Sequence, residues 1–221
     1  MNAAEIAALP FRAGAALRHA RVFHPDGVLC GGRLRRVADE GDGLPIAGGE
    51  VVGRISKGVG TPNAVPDFAG LAWRARSVDG GRPWDVLMVS ANARVLLRPA
   101  TSWTSAEFST LMPYGYDGEV YWLRARMTSP ADVAGLGLDA VREHLHAAPI
   151  TFDIEQARGR GEFTRLAVLE FDRALESEWP PEDVAFDPTL NVAPGVELLP
   201  RWLTAVRRRA YRSSRQGRDA R

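Results

Sequence analysis

Arg207 and Tyr211 lie four residues apart in the C-terminal run AVRRRAYRSSRQGR. On a helix that spacing places them on one face. A phenol titrates near ~10 in water, and a neighbouring guanidinium lowers that value by favouring the charged form. Tyrosine is the axial haem ligand that accompanies peroxide-handling chemistry. Near the other end, Arg21 and His24 form an Arg-x-x-His step. Histidine takes up and returns a proton near neutral pH, which is what heterolysis of a peroxide bond asks of a base. An anionic iron ligand and an acid–base imidazole are the two groups in this chain whose pairing makes a function readable.

The remaining reactive side chains point elsewhere. Cys30 is the only cysteine, so neither an internal disulfide nor a thiolate metal cluster is expected, and it reads as a small buried hydrophobe. His144 and His146 are two residues apart and face different directions on a helix, which disfavours a zinc site. His19 lies outside the Arg-x-x-His frame. Asp67, in a Pro-Asp turn, reads as a loop hydrogen-bond acceptor. GVGTP lacks the following helix that a nucleotide site requires. The arginine-rich helix over 201–218 has a competing reading as a basic surface for an anionic partner.

Composition narrows the class. The formal net charge of the 221-residue chain is +1, which does not suggest a nucleic-acid binder. Lys57 is the only lysine, so the basic character is almost wholly arginine. The N-terminus interrupts its apolar residues with Glu5 and does not resemble a secretory signal. No stretch approaches the ~18 apolar residues that span a bilayer. A cytoplasmic protein without a membrane span is the expectation.

These candidates must be positioned by a sheet. Residues 1–20 read as a short amphipathic helical arm, and RVFHPDGVLCGGRLRRVA as two short strands. VVGRIS, FAGLAWRARS, WDVLMVS, EVYWLRARMTS, APITFDIEQAR and FTRLAVLEFDRAL carry strand composition or alternation. GDGLPIAGG and GVGTPNAVPD read as loops, and Gly80-Gly81 as a turn. Residues 101–118 look irregular, with a short helix around Ser105 to Leu111. Apolar spacing at Val133, Leu136, Val141 and Leu145 predicts a helix within 130–147, weakened at its start by Gly135 and Gly137. WPPEDVAFDPTLNVAPG reads as an extended crossing, and 200–221 as a final helix. The pattern predicts a single α+β domain over 1–221 around one closed antiparallel sheet.

Three segments, in order, resemble the haem catalases and their small peroxidase-like relatives. RVFHPDG resembles the stretch carrying the distal histidine. VVGRISKGVGTPNAVPDFAGLAWR resembles the Arg-x-Ser, Gly-rich loop, Asp and Gly-x-Ala series. AFDPTLNVAPGVE and RRRAYRSSRQGR resemble the series that ends at the proximal tyrosine. The resemblance implies a catalase-like closed antiparallel β-barrel with helices packed around it, binding one haem b. It implies Tyr211 as iron ligand with Arg207 holding it ionised, His24 as distal base and Ser56 orienting that base. Arg21, Arg54 and Arg218 would hold the haem propionates, as guanidinium–carboxylate pairing favours.

The chain also departs from that pattern. Asn92 matches the distal asparagine only if two residues are inserted in WDVLMVSANARVLL. Leu96 or Leu97 stands where the family has an aromatic, and Phe23 where it has valine. These differences shift the expected activity from efficient catalase toward a peroxidase or weak catalase acting on hydrogen peroxide or organic hydroperoxides. A fatty-acid hydroperoxide converter and a homodimer are compatible with the same residues. The alternative is a haem-free protein of the same fold that binds an apolar small molecule or lipid.

Overall fold

Segments rich in β-branched and aromatic residues pair into one sheet in the computed structural model, which describes residues 26–63, 65–76, 81–129, 135–175, 184 and 186–200. In chain order the strands are β1 (Gly27–Arg36), β2 (Gly49–Lys57), β3 (Ala69–Ala75), β4 (Trp84–Asn92), β5 (Leu96–Leu97) and β6 (Glu107–Ser109). After these come β7 (Tyr114–Tyr116), β8 (Glu119–Ser129), β9 (Ile150–Arg158), β10 (Thr164–Ala174) and β11 (Glu197–Leu198). A helix, α1 (Leu138–Ala147), joins β8 to β9. Strand β1 bonds to both β2 and β10, and β8 to both β6 and β9. The circuit β1-β2-β3-β4-β6-β8-β9-β10 therefore closes as an eight-stranded antiparallel barrel without free edges.

Register decides what fills it. Val51, Gly53 and Ile55 on β2 stand opposite Ala75, Trp73 and Leu71 on β3, which stand opposite Trp84, Val86 and Met88 on β4. These residues, with Leu123, Phe108, Phe152 and Phe171, share one buried core. Phe152 meets Phe108 and Phe171 edge-on, with ring centroids 5.9 and 6.1 Å apart. Each fully buried aromatic contributes about 2–3 kcal/mol. Gly53 is required where it stands, because a Cβ would overlap the Phe171 ring. The barrel is thus a packed core and holds its rings where a lumen ligand would otherwise sit.

Short elements dress the outer wall. Strands β4 and β5 form a hairpin that leaves the barrel after Ser90. Strand β7 pairs with β8 through a two-residue turn, and β11 adds to β7. The strap before β11 is latched by Asp85, whose carboxylate is fully buried. Asp85 binds Arg74 through two parallel bonds of 2.6 and 2.8 Å and accepts from the Asp187 amide and Asn191 Nδ2, both at 2.7 Å.

The expected closed antiparallel barrel is present, but the α+β class with helices around it is not. The described residues are mostly strand and contain one ten-residue helix. Exposed polar residues on the strands, not helices, clothe much of the wall. Between Ser105 and Leu111 there is strand β6, not a helix, because Phe108 is drawn into the core between β4 and β8. The two short strands expected over 21–38 are, in the described part, the single strand β1, kinked by a register shift at Gly31/Gly32. Helix α1 starts at Leu138, after Gly135 and Gly137. The N-terminal arm over 1–20 and, apart from Pro200, the C-terminal helix over 200–221 lie outside the described residues.

Candidate functional site

Of the three sequence candidates that the structure describes, Arg54 and Ser56 lie at the end of β2, beside the beginning of β1, and Asn92 lies elsewhere. Gly27 is in register with Ser56, and the Lys57 amide donates to the Asp26 carbonyl at 3.1 Å. Ser56 is buried, and Arg54 is half-buried two residues before it. Strand alternation puts Arg54 and Ser56 on the outward face, opposite to Val51, Gly53 and Ile55. The absence of a side chain at Gly27 is structural: a Cβ there would collide with Arg54 Nε and lie 3.0 Å from Ser56 Cβ. The Arg54 side chain therefore lies across the backbone that follows Pro25.

Asn92 ends β4, three residues beyond Val89, and Ser56, Gly70 and Val89 form one row across β2, β3 and β4. It is thus two strands away from β2, in the β4–β5 hairpin, where Arg98 donates to its Oδ1 at 3.4 Å. Arg21, His24, Arg207, Tyr211 and Arg218 lie outside the described residues, as does Phe23. The structure brings Arg54 and Ser56 to one face beside Gly27 and leaves Asn92 bonded to Arg98.

The loop after β2 is held by a carboxylate. Asp67 accepts the amides of Phe68 (2.7 Å), Gly60 (2.8 Å), Val59 and Thr61 (both 2.9 Å), and the Thr61 hydroxyl at 3.1 Å. Burial pushes its carboxyl up, and the amides of Thr61, Val59, Phe68 and Gly60 more than offset this, holding it below its ordinary range. Lys57 is buried alongside and donates to the Thr61 carbonyl and, at 3.2 Å, to Asn63 Oδ1. Both charged groups are used to shape the loop, as the reading of Asp67 as an acceptor anticipates.

Other reactive groups are engaged in packing. Cys30 is buried in the barrel core, and burial pushes its thiol up to about 12. His144 and His146 both lie on α1, and no group of three His, Cys, Asp or Glu side chains suited to a metal ion occurs among the described residues. Among the described residues no helix is long and apolar enough to cross a membrane.

A second constellation has no counterpart in the sequence reading. At the tip of the β4–β5 hairpin, Arg94 reaches across the outer wall to the turn after β9. It donates to the carbonyls of Gly159 (2.5 Å) and Gly161 (2.7 Å). Its guanidinium lies 5.0 Å from the Phe163 ring centroid and 5.7 Å from that of Trp122. Arg124 stacks on Phe163 at 4.0 Å and pairs with Glu155 and Glu107 at 2.6 and 3.1 Å. Residues from β4, β8 and β10's approach meet here only because the barrel closes, so the one local signal was the Trp122/Arg124/Arg126 alternation on β8.

No protein-family model matches this chain, and no curated protein matches it significantly.

Proposed function

We propose that the chain is a haem-dependent peroxidase or weak catalase that acts on hydrogen peroxide or an organic hydroperoxide. The observation that carries the reading is the meeting of Gly27, Arg54 and Ser56 on one outward face. Gly27, three residues after His24 in the sequence, pairs with Ser56. The ordered resemblance of three segments to catalases gives that meeting its meaning.

Of the residues proposed to hold a haem, Arg54 is described, on the outward face of β2 beside Ser56. The barrel interior is filled by Trp73, Phe108, Phe152 and Phe171, so a porphyrin would lie against the wall. Arg54 supplies a guanidinium for a propionate on that wall, with Arg21 and Arg218 completing the set. Ser56 offers a hydroxyl to fix the tautomer and orientation of the His24 ring. His24 takes a proton from the bound peroxide and returns it to the departing oxygen. Arg207 holds the Tyr211 phenol ionised as the ligand. The bound haem supplies the redox equivalents for cleaving the oxygen–oxygen bond.

The test is reconstitution of the full chain with haem, followed by peroxide consumption. Wild-type protein should bind haem stoichiometrically and turn over peroxide. Ser56→Ala should keep the spectrum and lose roughly tenfold in rate, less than the ~10²–10⁴-fold that a general base supplies in full, because the base is misoriented and not removed. Failure to bind haem rejects the proposal. A haem-free protein binding an apolar ligand is the competing reading, motivated by Val59 and Val65, both exposed on the loop after Ser56. Recovery of such a ligand by mass spectrometry from protein that refuses haem would favour it.

A further inference from the structure

We propose that the hollow beside Trp122 is a binding site for a small aromatic anion, a flat ring system bearing a carboxylate. The hollow has a volume of about 670 Å3 and is lined by Ala93, Arg94, Val120, Trp122, Gly159 and Arg160. The hollow is shallow and open to solvent, so it would seat one face and one edge of a small ligand and not enclose it. It lies at the first residues of β8 and the turn after β9, whereas Ser56 and Gly27 lie where β2 ends and β1 begins. The proposal is therefore separate from the haem reading.

Two features of the lining define the ligand. The first is an apolar platform. Trp122 is half-buried and Val120 is exposed, although both occupy outward positions of β8 where Arg124 and Arg126 follow. An indole face accepts a stacked ring. The second is positive charge without a counter-charge. Neighbouring arginines on this wall are neutralised: Arg124 by Glu155 and Glu107, Arg126 by Glu155, and Arg158 by Glu119. Arg94 forms no ion pair among the described residues, since its partners are two carbonyls and two rings. Arg160 is exposed and has neither an ion pair nor a hydrogen bond among them. A carboxylate is the group that the Arg160 guanidinium recognises through two parallel bonds, while Arg94, whose terminal nitrogens donate to the Gly159 and Gly161 carbonyls, adds positive charge beside it.

The backbone holds this lining in place. Ala93 and Arg94 have φ values of 47° and 72°, in the left-handed region that side chains disfavour. Such a conformation persists where its surroundings fix it. The Ser109 hydroxyl donates to the Arg94 carbonyl at 2.5 Å, and the guanidinium is clamped to the Gly159–Gly161 turn. The hairpin tip is thus preorganised against the turn, which lowers the entropic cost of binding.

Calorimetric titration of the haem-free full chain with 2-naphthoate tests the proposal, with 2-naphthylmethanol and cyclohexanecarboxylate as controls and the Trp122 indole N–H resonance as the local reporter. Naphthoate should bind with a Kd below about 1 mM and shift the Trp122 signal. Each control should bind about fivefold more weakly or worse, in line with one partly exposed charge pair or one stacked ring. Arg160→Gln, at an exposed position, should weaken naphthoate about fivefold and leave the alcohol unchanged. Equal binding of acid and alcohol, an unmoved Trp122 signal, or indifference to Arg160→Gln would each overturn it. Haem binding is read separately, so either result stands without the other.

Discussion

At the scale of single residues, the described part of the chain uses its titratable groups for structure first. Asp67 satisfies four backbone amides of one loop, and its carboxyl is held below the ordinary range. A group depressed on folding stabilises above its unfolded value, and that stability is lost as pH falls through the folded value. Urea denaturation should therefore show wild-type protein losing stability below about pH 4, while Asp67→Asn is weaker at pH 7 and flatter in acid. Asp67→Ala should cost about 2–3 kcal/mol at pH 7, because it strands several amides. Cys30 shows the opposite direction, its thiol raised to about 12 by burial. Native protein at pH 8 should resist a disulfide-exchange reagent and react only with its unfolding rate. Both roles were legible: Cys30 sits in an apolar alternation, and Asp67 follows a Gly-rich loop whose amides need an acceptor. The Arg94 cluster was not, because the two carbonyls that its guanidinium binds are more than sixty residues away in sequence.

At the scale of elements, close approach and latching decide which substitutions matter. Gly32 sits at the β1 register shift, where a Cβ would overlap the Glu170 carbonyl of β10. Gly32→Ala should cost about 3 kcal/mol and lower the thermal midpoint, whereas Gly41→Ala on an open turn should cost less. Asp85→Ala leaves Arg74 without its carboxylate and frees the strap. It should cost about 3 kcal/mol and speed hydrogen exchange at the Asp187 amide, which donates to the Asp85 carboxylate. The long strands were readable because apolar and polar residues alternate along β8 and through Leu71, Trp73 and Ala75 of β3, and because β2 carries a β-branched run. The stretch over 101–118 was not, since β6 and β7 have three residues each. A usable signal was present: Asp117 and Gly118, with φ of 49° and 75°, are the Asp-Gly pair that marks a tight hairpin between YGY and EVY.

At the scale of the whole molecule, closure of the barrel follows from pairings that no local window contains. Strand β8 must meet both β6 and β9, and β1 both β2 and β10, while the order of strands around the wall skips β5 and β7. Among the described residues one expected helix is missing, since the run around Ser105 to Leu111 holds strand β6. A packed interior leaves a planar cofactor only the outer wall, where Gly27, Arg54 and Ser56 meet. The proposed haem function then turns on the two ends of the chain meeting over that face. The most direct measurement is the visible and resonance Raman spectrum of the full chain reconstituted with haem, beside Tyr211→Phe. The account predicts an iron–tyrosinate signature in wild type that vanishes in Tyr211→Phe while the far-UV spectrum of the barrel is kept. An identical haem spectrum in both proteins, or none in either, would contradict it.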